Sequence, residues 1–274
     1  MTPVFDLFSL LQTTYRTLWI QRAYIIRLSV IPILIMCANT ALAEMAAPPT
    51  LLRYGLYMIP ASVAEAWLVC QYLRTLMTGE KWPYIGHAQI QNGIIPPAVQ
   101  ARVRGLLSGM IVYVLSSLVL FIIAGTVAAL VPEAMAPSST ASMPQTPPDP
   151  MTSFWVILIA ILLIWHFRFL WAYIPMIINV PLSEYTALTK PWRIRIQFLG
   201  AWFAATLPMM IVPLMIVAPL LSLKVEGTGL GFIVFILALL FNVILQTLTT
   251  LAGAVSLSLC FTALVKIKGN RHGP

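Results

Sequence analysis

Six long apolar stretches, near residues 26–45, 54–73, 105–131, 153–178, 196–222 and 229–265, set the limits on what this chain can fold into. A helix needs about 20 residues at ~1.5 Å each to cross the hydrocarbon core of a bilayer, and these stretches reach that length. With 60% hydrophobic and 9% charged residues among 274, the chain carries more apolar surface than one water-soluble core can bury. The expected fold class is all-α: a polytopic membrane protein with six transmembrane helices. Continuous apolar runs exclude a transmembrane β-barrel, whose strands would alternate over short segments.

The net charge of +8 is distributed by face rather than clustered as a nucleic-acid patch, so no nucleic-acid partner is expected. Arg16, Arg22 and Arg27 precede or open the first span, and Arg74, Lys81, Arg102 and Arg104 lie between the second and third. Lys190, Arg193 and Arg195 separate the fourth and fifth, while Lys266, Lys268 and Arg271 follow the last. Only Arg53 and Lys224 fall near the opposite face. This positive-inside asymmetry places both termini in the cytoplasm and turns the basic residues toward anionic lipid head groups. Leu28 to Met36 followed by Ala41-Leu42-Ala43 has the look of a signal peptide, but the segment before it is longer than an ordinary basic leader, so a retained span is expected.

Residues 1–24 read as an interfacial amphipathic helix ahead of a six-span domain over 25–274. Val4, Phe8, Leu11, Tyr15 and Leu18 recur at helical spacing, and Trp19 stands where an indole anchors at the head-group level. Trp82 and Trp192 sit in similar basic segments before the third and fifth spans, which hints at three hairpin repeats. Residues 132–152, rich in Pro and Ser and without Lys or Arg, read as a flexible external loop. Cys37, Cys70 and Cys260 fall within spans without paired spacing, as small buried residues do.

Glu65 and Arg168 are the charges set deepest in apolar stretches, each costing about 2.5–3.5 kcal/mol at a helix centre unless partnered. Both belong to outward-to-inward spans, so a Glu65–Arg168 pair is geometrically possible: either a proton- or ion-coupling site with His166 nearby on the same span as Arg168, or a structural interhelical ion pair, or an Arg168 that snorkels to the inner head groups beside a protonated Glu65. Along the last span Asn242, Gln246, Thr249, Gly253, Ser256 and Cys260 form a polar or small stripe that serves either close helix packing or a hydrophilic path. Gly105 and Gly109 make a GxxxG at the start of the third span. Prolines interrupt most spans, three of them (Pro208, Pro213 and Pro219) in the fifth. HExxH, P-loop, GxSxG and dinucleotide fingerprints are all missing, and no metal ligand set or cofactor is expected.

Between residues 168 and 209, an Arg shortly before a Pro, a Ser-Glu-containing segment ending in Thr-Lys, a Trp and a further Pro-bearing span resemble poorly characterised bacterial membrane proteins. These are similar to the membrane domain that accompanies some glycerophosphodiester phosphodiesterases. The resemblance implies a six-span domain of the bacterial inner membrane without catalysis of its own; the phosphodiesterase catalytic domain is absent. The expected function is a non-enzymatic subunit or organiser of a membrane assembly, acting through helix and lipid contacts with a membrane-protein partner or further copies of itself. The alternative is a small transporter or channel whose path is lined by Glu65, His166, Arg168, Asn242 and Gln246.

Overall fold

A computed structural model describes residues 6–46, 51–82, 97–130, 154, 158, 167–222 and 229–271. Every regular element among them is helical: α1 (Leu7–Ile20), α2 (Arg22–Ala46), α3 (Leu51–Tyr57), α4 (Ile59–Thr78), α5 (Pro97–Leu130), a 3-10 turn (Phe167–Trp171), α6 (Tyr173–Ile177), α7 (Leu182–Leu188), α8 (Trp192–Ser222) and α9 (Gly229–Arg271). Four of these helices, α2, α5, α8 and α9, contain segments long and apolar enough to cross a membrane.

The six apolar stretches fare differently. The first, third, fifth and sixth correspond to α2, α5, α8 and α9. The sixth is one unbroken helix of 43 residues, about 65 Å long at ~1.5 Å per residue. The second divides at Met58 into α3 and α4, with Pro60 in the first turn of α4, where its missing N–H leaves no helical bond unmade. Glu65, Gln71 and Arg74 dilute the hydropathy of α4, yet α4 is enclosed by other helices: from Leu68 to Thr75 every residue is buried. Most of the fourth stretch lies outside the described residues, as does the 132–152 loop. Its C-terminal end breaks into the 3-10 turn and the five-residue α6, and Pro175 again occupies a first turn.

Buried side chains concentrate at one end of the bundle. Tyr72 and Leu73 of α4, Ile174 and Ile177 of α6, Tyr185 of α7, Phe198 of α8 and Leu251 to Phe261 of α9 pack there. At the other end, apolar side chains such as Ile111, Leu115 and Ile122 of α5 and Phe235 to Leu237 of α9 are exposed. The packed end is also where basic connections converge. Arg74 is buried, donating through Nε to Glu80 Oε2 at 2.7 Å and through Nη1 to the Ile177 carbonyl at 2.7 Å, and Arg102 stands 3.7 Å from the same Glu80 oxygen. These two arginines, expected to face head groups, are instead built into the protein.

The GxxxG of α5 seats α6. A Cβ on Gly105 would lie 2.5 Å from the Ile177 carbonyl oxygen, and one on Gly109 would lie 2.7 Å from the Ile177 side chain. Asn179, in the left-handed region at φ 59°, ends this turn and donates from Nδ2 to the Ala101 carbonyl at 2.9 Å. Helix α1 buries Leu10, Thr14 and Leu18 against α8 and α9, whereas Phe8 is 77% exposed. Tyr15 ties α1 down by donating to the Ala205 carbonyl at 2.8 Å, and burial pushes its phenol above the ordinary range. The face follows tertiary contact because Thr14 satisfies its own hydroxyl on Leu10 O and so can enter the core.

Candidate functional site

Two cavities lie side by side beyond the packed core and share a wall. One, of about 540 Å³, lies among α5, α8 and α9 and the 3-10 turn; the other, of about 350 Å³, lies among α2, α4, α5 and α9. Tyr113, Ser117, Leu120, Gln246 and Thr250 line both. Each is in the size range of small-molecule sites.

Glu65 faces the smaller cavity and is only 8% exposed. Thr250 Oγ1 of α9 donates to Glu65 Oε1 at 2.7 Å, and the Tyr113 hydroxyl of α5 stands near the carboxyl. These hydroxyls come from two different helices, so the carboxyl is a joint among α4, α5 and α9 as well as a polar point on the wall. No Lys, Arg or His lines either cavity among the described residues. Removing a carboxylate from water without a cation carries a desolvation cost of several kcal/mol, which the Thr250 hydroxyl offsets in part.

The larger cavity pairs amides and hydroxyls with aromatic surface. Asn242, Gln246 and Thr249 of α9 face it, as do Trp171, Tyr173 and Trp202. The aromatic side is held by mutual contact: Trp171 lies 6.3 Å from Trp202 and 6.4 Å from Phe198, ring centre to ring centre, and Tyr173 meets Tyr113 edge-on at 5.2 Å. Trp202 can sit this close to α9 because it faces Gly253, where a Cβ would lie 2.7 Å from the indole nitrogen.

The polar stripe of the last span therefore has two halves. Asn242, Gln246 and Thr249 line the cavity, whereas Gly253 packs against Trp202, and Ser256 is buried with its hydroxyl bonded to the Gly253 carbonyl of its own helix. Cys70 and Cys260 are buried and Cys37 is half-buried, all three as free thiols. His166 and the side chain of Arg168 lie outside the described residues; the Arg168 backbone belongs to the 3-10 turn. Trp19, Trp82 and Trp192 are 69%, 41% and 65% exposed. Trp82 is nonetheless docked, its backbone N–H donating to Tyr24 Oη at 2.9 Å and its ring edge-on to Trp67. No group of three or more His, Cys, Asp or Glu able to hold a metal occurs among the described residues.

Sequence reasoning missed Thr250, Tyr113 and Ser117. All three carried a signal: Thr250 lies four residues after Gln246, and Tyr113 and Ser117 continue the Gly105, Gly109 series by fours, so each neighbours residues already singled out along a helix face. No protein-family model, curated protein or solved structure matches this chain.

Proposed function

We propose that this protein is an integral membrane protein of the small transporter or channel class, binding a solute in the adjoining cavities beside Glu65. The observation that carries this reading is the position of Glu65 on a cavity wall, bonded to Thr250 and sharing that space with Gln246. A carboxyl used only as an architectural joint would be closed over by apolar side chains; here amides and hydroxyls continue away from it along α9. In this reading the chain crosses a bacterial inner membrane six times, with α3–α4 and the 153–178 stretch completing the set and both termini in the cytoplasm. Helix α1 lies along the inner head-group layer, and Trp19, Trp82 and Trp192 mark the interface. The protein carries out no catalysis of its own.

Proteoliposome flux measurements over a panel of small cationic, neutral and anionic solutes test the proposal. Flux should be saturable, and Glu65→Gln should alter it. Absence of saturable flux for every solute class would refute it.

A second reading is favoured by a separate observation. Ile111, Leu115, Val119 and Ile122 form an exposed apolar row on α5, suited to lipid or to a partner helix in a membrane assembly. Purification in mild detergent separates the two: a monodisperse monomer without retained lipid counts against the assembly role.

A further inference from the structure

The chemistry of the cavity walls narrows what can enter. The smaller lobe presents one carboxyl, and the larger presents the indoles of Trp171 and Trp202 beside the Asn242 and Gln246 amides. A small anion would meet a carboxylate with no cationic side chain lining either lobe among the described residues. A neutral sugar-like solute could use the amides, hydroxyls and ring faces but would leave the Glu65 carboxylate without a charge partner. An organic cation uses both parts at once. Its charge pairs with Glu65, a carboxyl only 8% exposed, where such a pair is stronger than at a surface, and its apolar body lies against aromatic faces whose quadrupole attracts the same positive charge.

We infer that the adjoining cavities bind a monovalent organic cation with an apolar body, its ammonium or phosphonium centre beside Glu65 and its body against Trp171 and Trp202. This inference rests on the reading of the cavity as a solute site and specifies the class of solute. The shared wall fixes where the two portions of the ligand meet. Gln246 and Thr250 line both lobes, so a ligand that spans them passes these side chains. Because Thr250 already donates to Glu65, the free carboxylate oxygen and the Tyr113 contact are the points that an arriving cation rearranges.

A pair of ions matched in size and shape but opposite in charge, tetraphenylphosphonium and tetraphenylborate, tests the assignment with the full-length wild-type protein in detergent. Dicyclohexylcarbodiimide adds to carboxyl groups in apolar surroundings to leave an N-acylurea, which peptide mass spectrometry locates. Tetraphenylphosphonium should protect Glu65 from this modification in a saturable way, and tetraphenylborate at the same concentration should not. Equilibrium binding of labelled tetraphenylphosphonium, corrected against protein-free micelles, should weaken at least about 10-fold in Glu65→Gln and be largely retained in Glu65→Asp, which keeps the charge and controls for folding. Equal protection by both ions, or binding unaffected in a folded Glu65→Gln protein, overturns the inference. So does preferential binding of tetraphenylborate that is lost in Arg168→Ala, which would make this an anion site. If neither ion protects Glu65 while a neutral solute crosses proteoliposomes in a Gln246-dependent way, the cation assignment falls and the transport reading stands. If tetraphenylphosphonium protects Glu65 but no solute crosses, the assignment stands and transport falls.

Discussion

Replacing Gly105 with alanine should destabilise the protein, although alanine is the better helix former. In α5 the exchange alone would favour the folded helix by about 0.8–1 kcal/mol. Against this, the new Cβ would lie 2.5 Å from the Ile177 carbonyl oxygen and 3.2 Å from Arg74 Nη1. The first obstacle is backbone and cannot swing aside, so α6 must move away from α5. Overpacking of this kind costs about 1–3 kcal/mol. The movement also pulls the Ile177 carbonyl from Arg74, which donates to it at 2.7 Å, and a hydrogen bond to a charged group contributes about 1.5–3 kcal/mol. The net expectation is a loss of about 1.5–5 kcal/mol. Gly200 in α8 supplies the control, because a Cβ there has nothing within 4 Å and Gly200→Ala should be neutral or stabilising by up to about 1 kcal/mol. Thermal unfolding in detergent followed by tryptophan fluorescence reads both. At about 2–4 °C per kcal/mol for a chain of this size, Gly105→Ala should melt at least about 3 °C below the wild type, with Gly200→Ala at or above it. A Gly105→Ala protein as stable as the wild type would refute the close seating of α6 on α5.

The Thr250→Val substitution removes a donor from Glu65 while keeping the side-chain shape, and should cost about 1–3 kcal/mol in the same melts; Thr250→Ser should recover most of it, and a neutral Thr250→Val would deny the hydrogen bond. Arg74→Ala strips the Glu80 carboxylate and the Ile177 carbonyl of a shared partner and should cost about 3 kcal/mol or more. Arg74→Lys should rescue it only partly, since one ammonium cannot serve two acceptors in the divergent geometry of a guanidinium; full rescue would show that charge alone matters. Tyr15→Phe should loosen α1 from α8 by breaking its bond to Ala205, read as faster amide exchange across α1 with little change in α9.

The apolar stretches were legible because lipid-compatible length is a property of the local chain, and α2, α5, α8 and α9 express it directly. Their interplay was not. A hydropathy reading treats every apolar stretch alike, so α4 looked like any span, whereas its Glu65, Gln71 and Arg74 reflect enclosure by neighbouring helices. The burial of Arg74 and Arg102 was hidden for the same reason: a guanidinium near a helix end serves head groups or a carboxylate equally well until Glu80 is known to be within reach. For the cavity, Asn242, Gln246 and Thr249 stood out by periodicity, and Glu65 by its cost in an apolar setting. Their meeting depends on the contact between α4 and α9 through Thr250, residues 185 positions apart in sequence, which no local pattern encodes. The division of the stripe at Gly253 likewise required knowing where Trp202 lies.

Water access at Gln246 tests the central claim most directly. With Cys37, Cys70 and Cys260 replaced, single cysteines at Gln246, Leu237 and Leu257 would be exposed in sealed vesicles to a charged, water-soluble methanethiosulfonate reagent. Gln246 lines both cavities, Leu237 is exposed on the apolar outer surface of α9, and Leu257 is buried in the packed core. The account predicts rapid labelling at position 246, with slow labelling at 237 and 257. Labelling at 246 no faster than at 237 would contradict it, because the polar face of α9 would then be sealed from water.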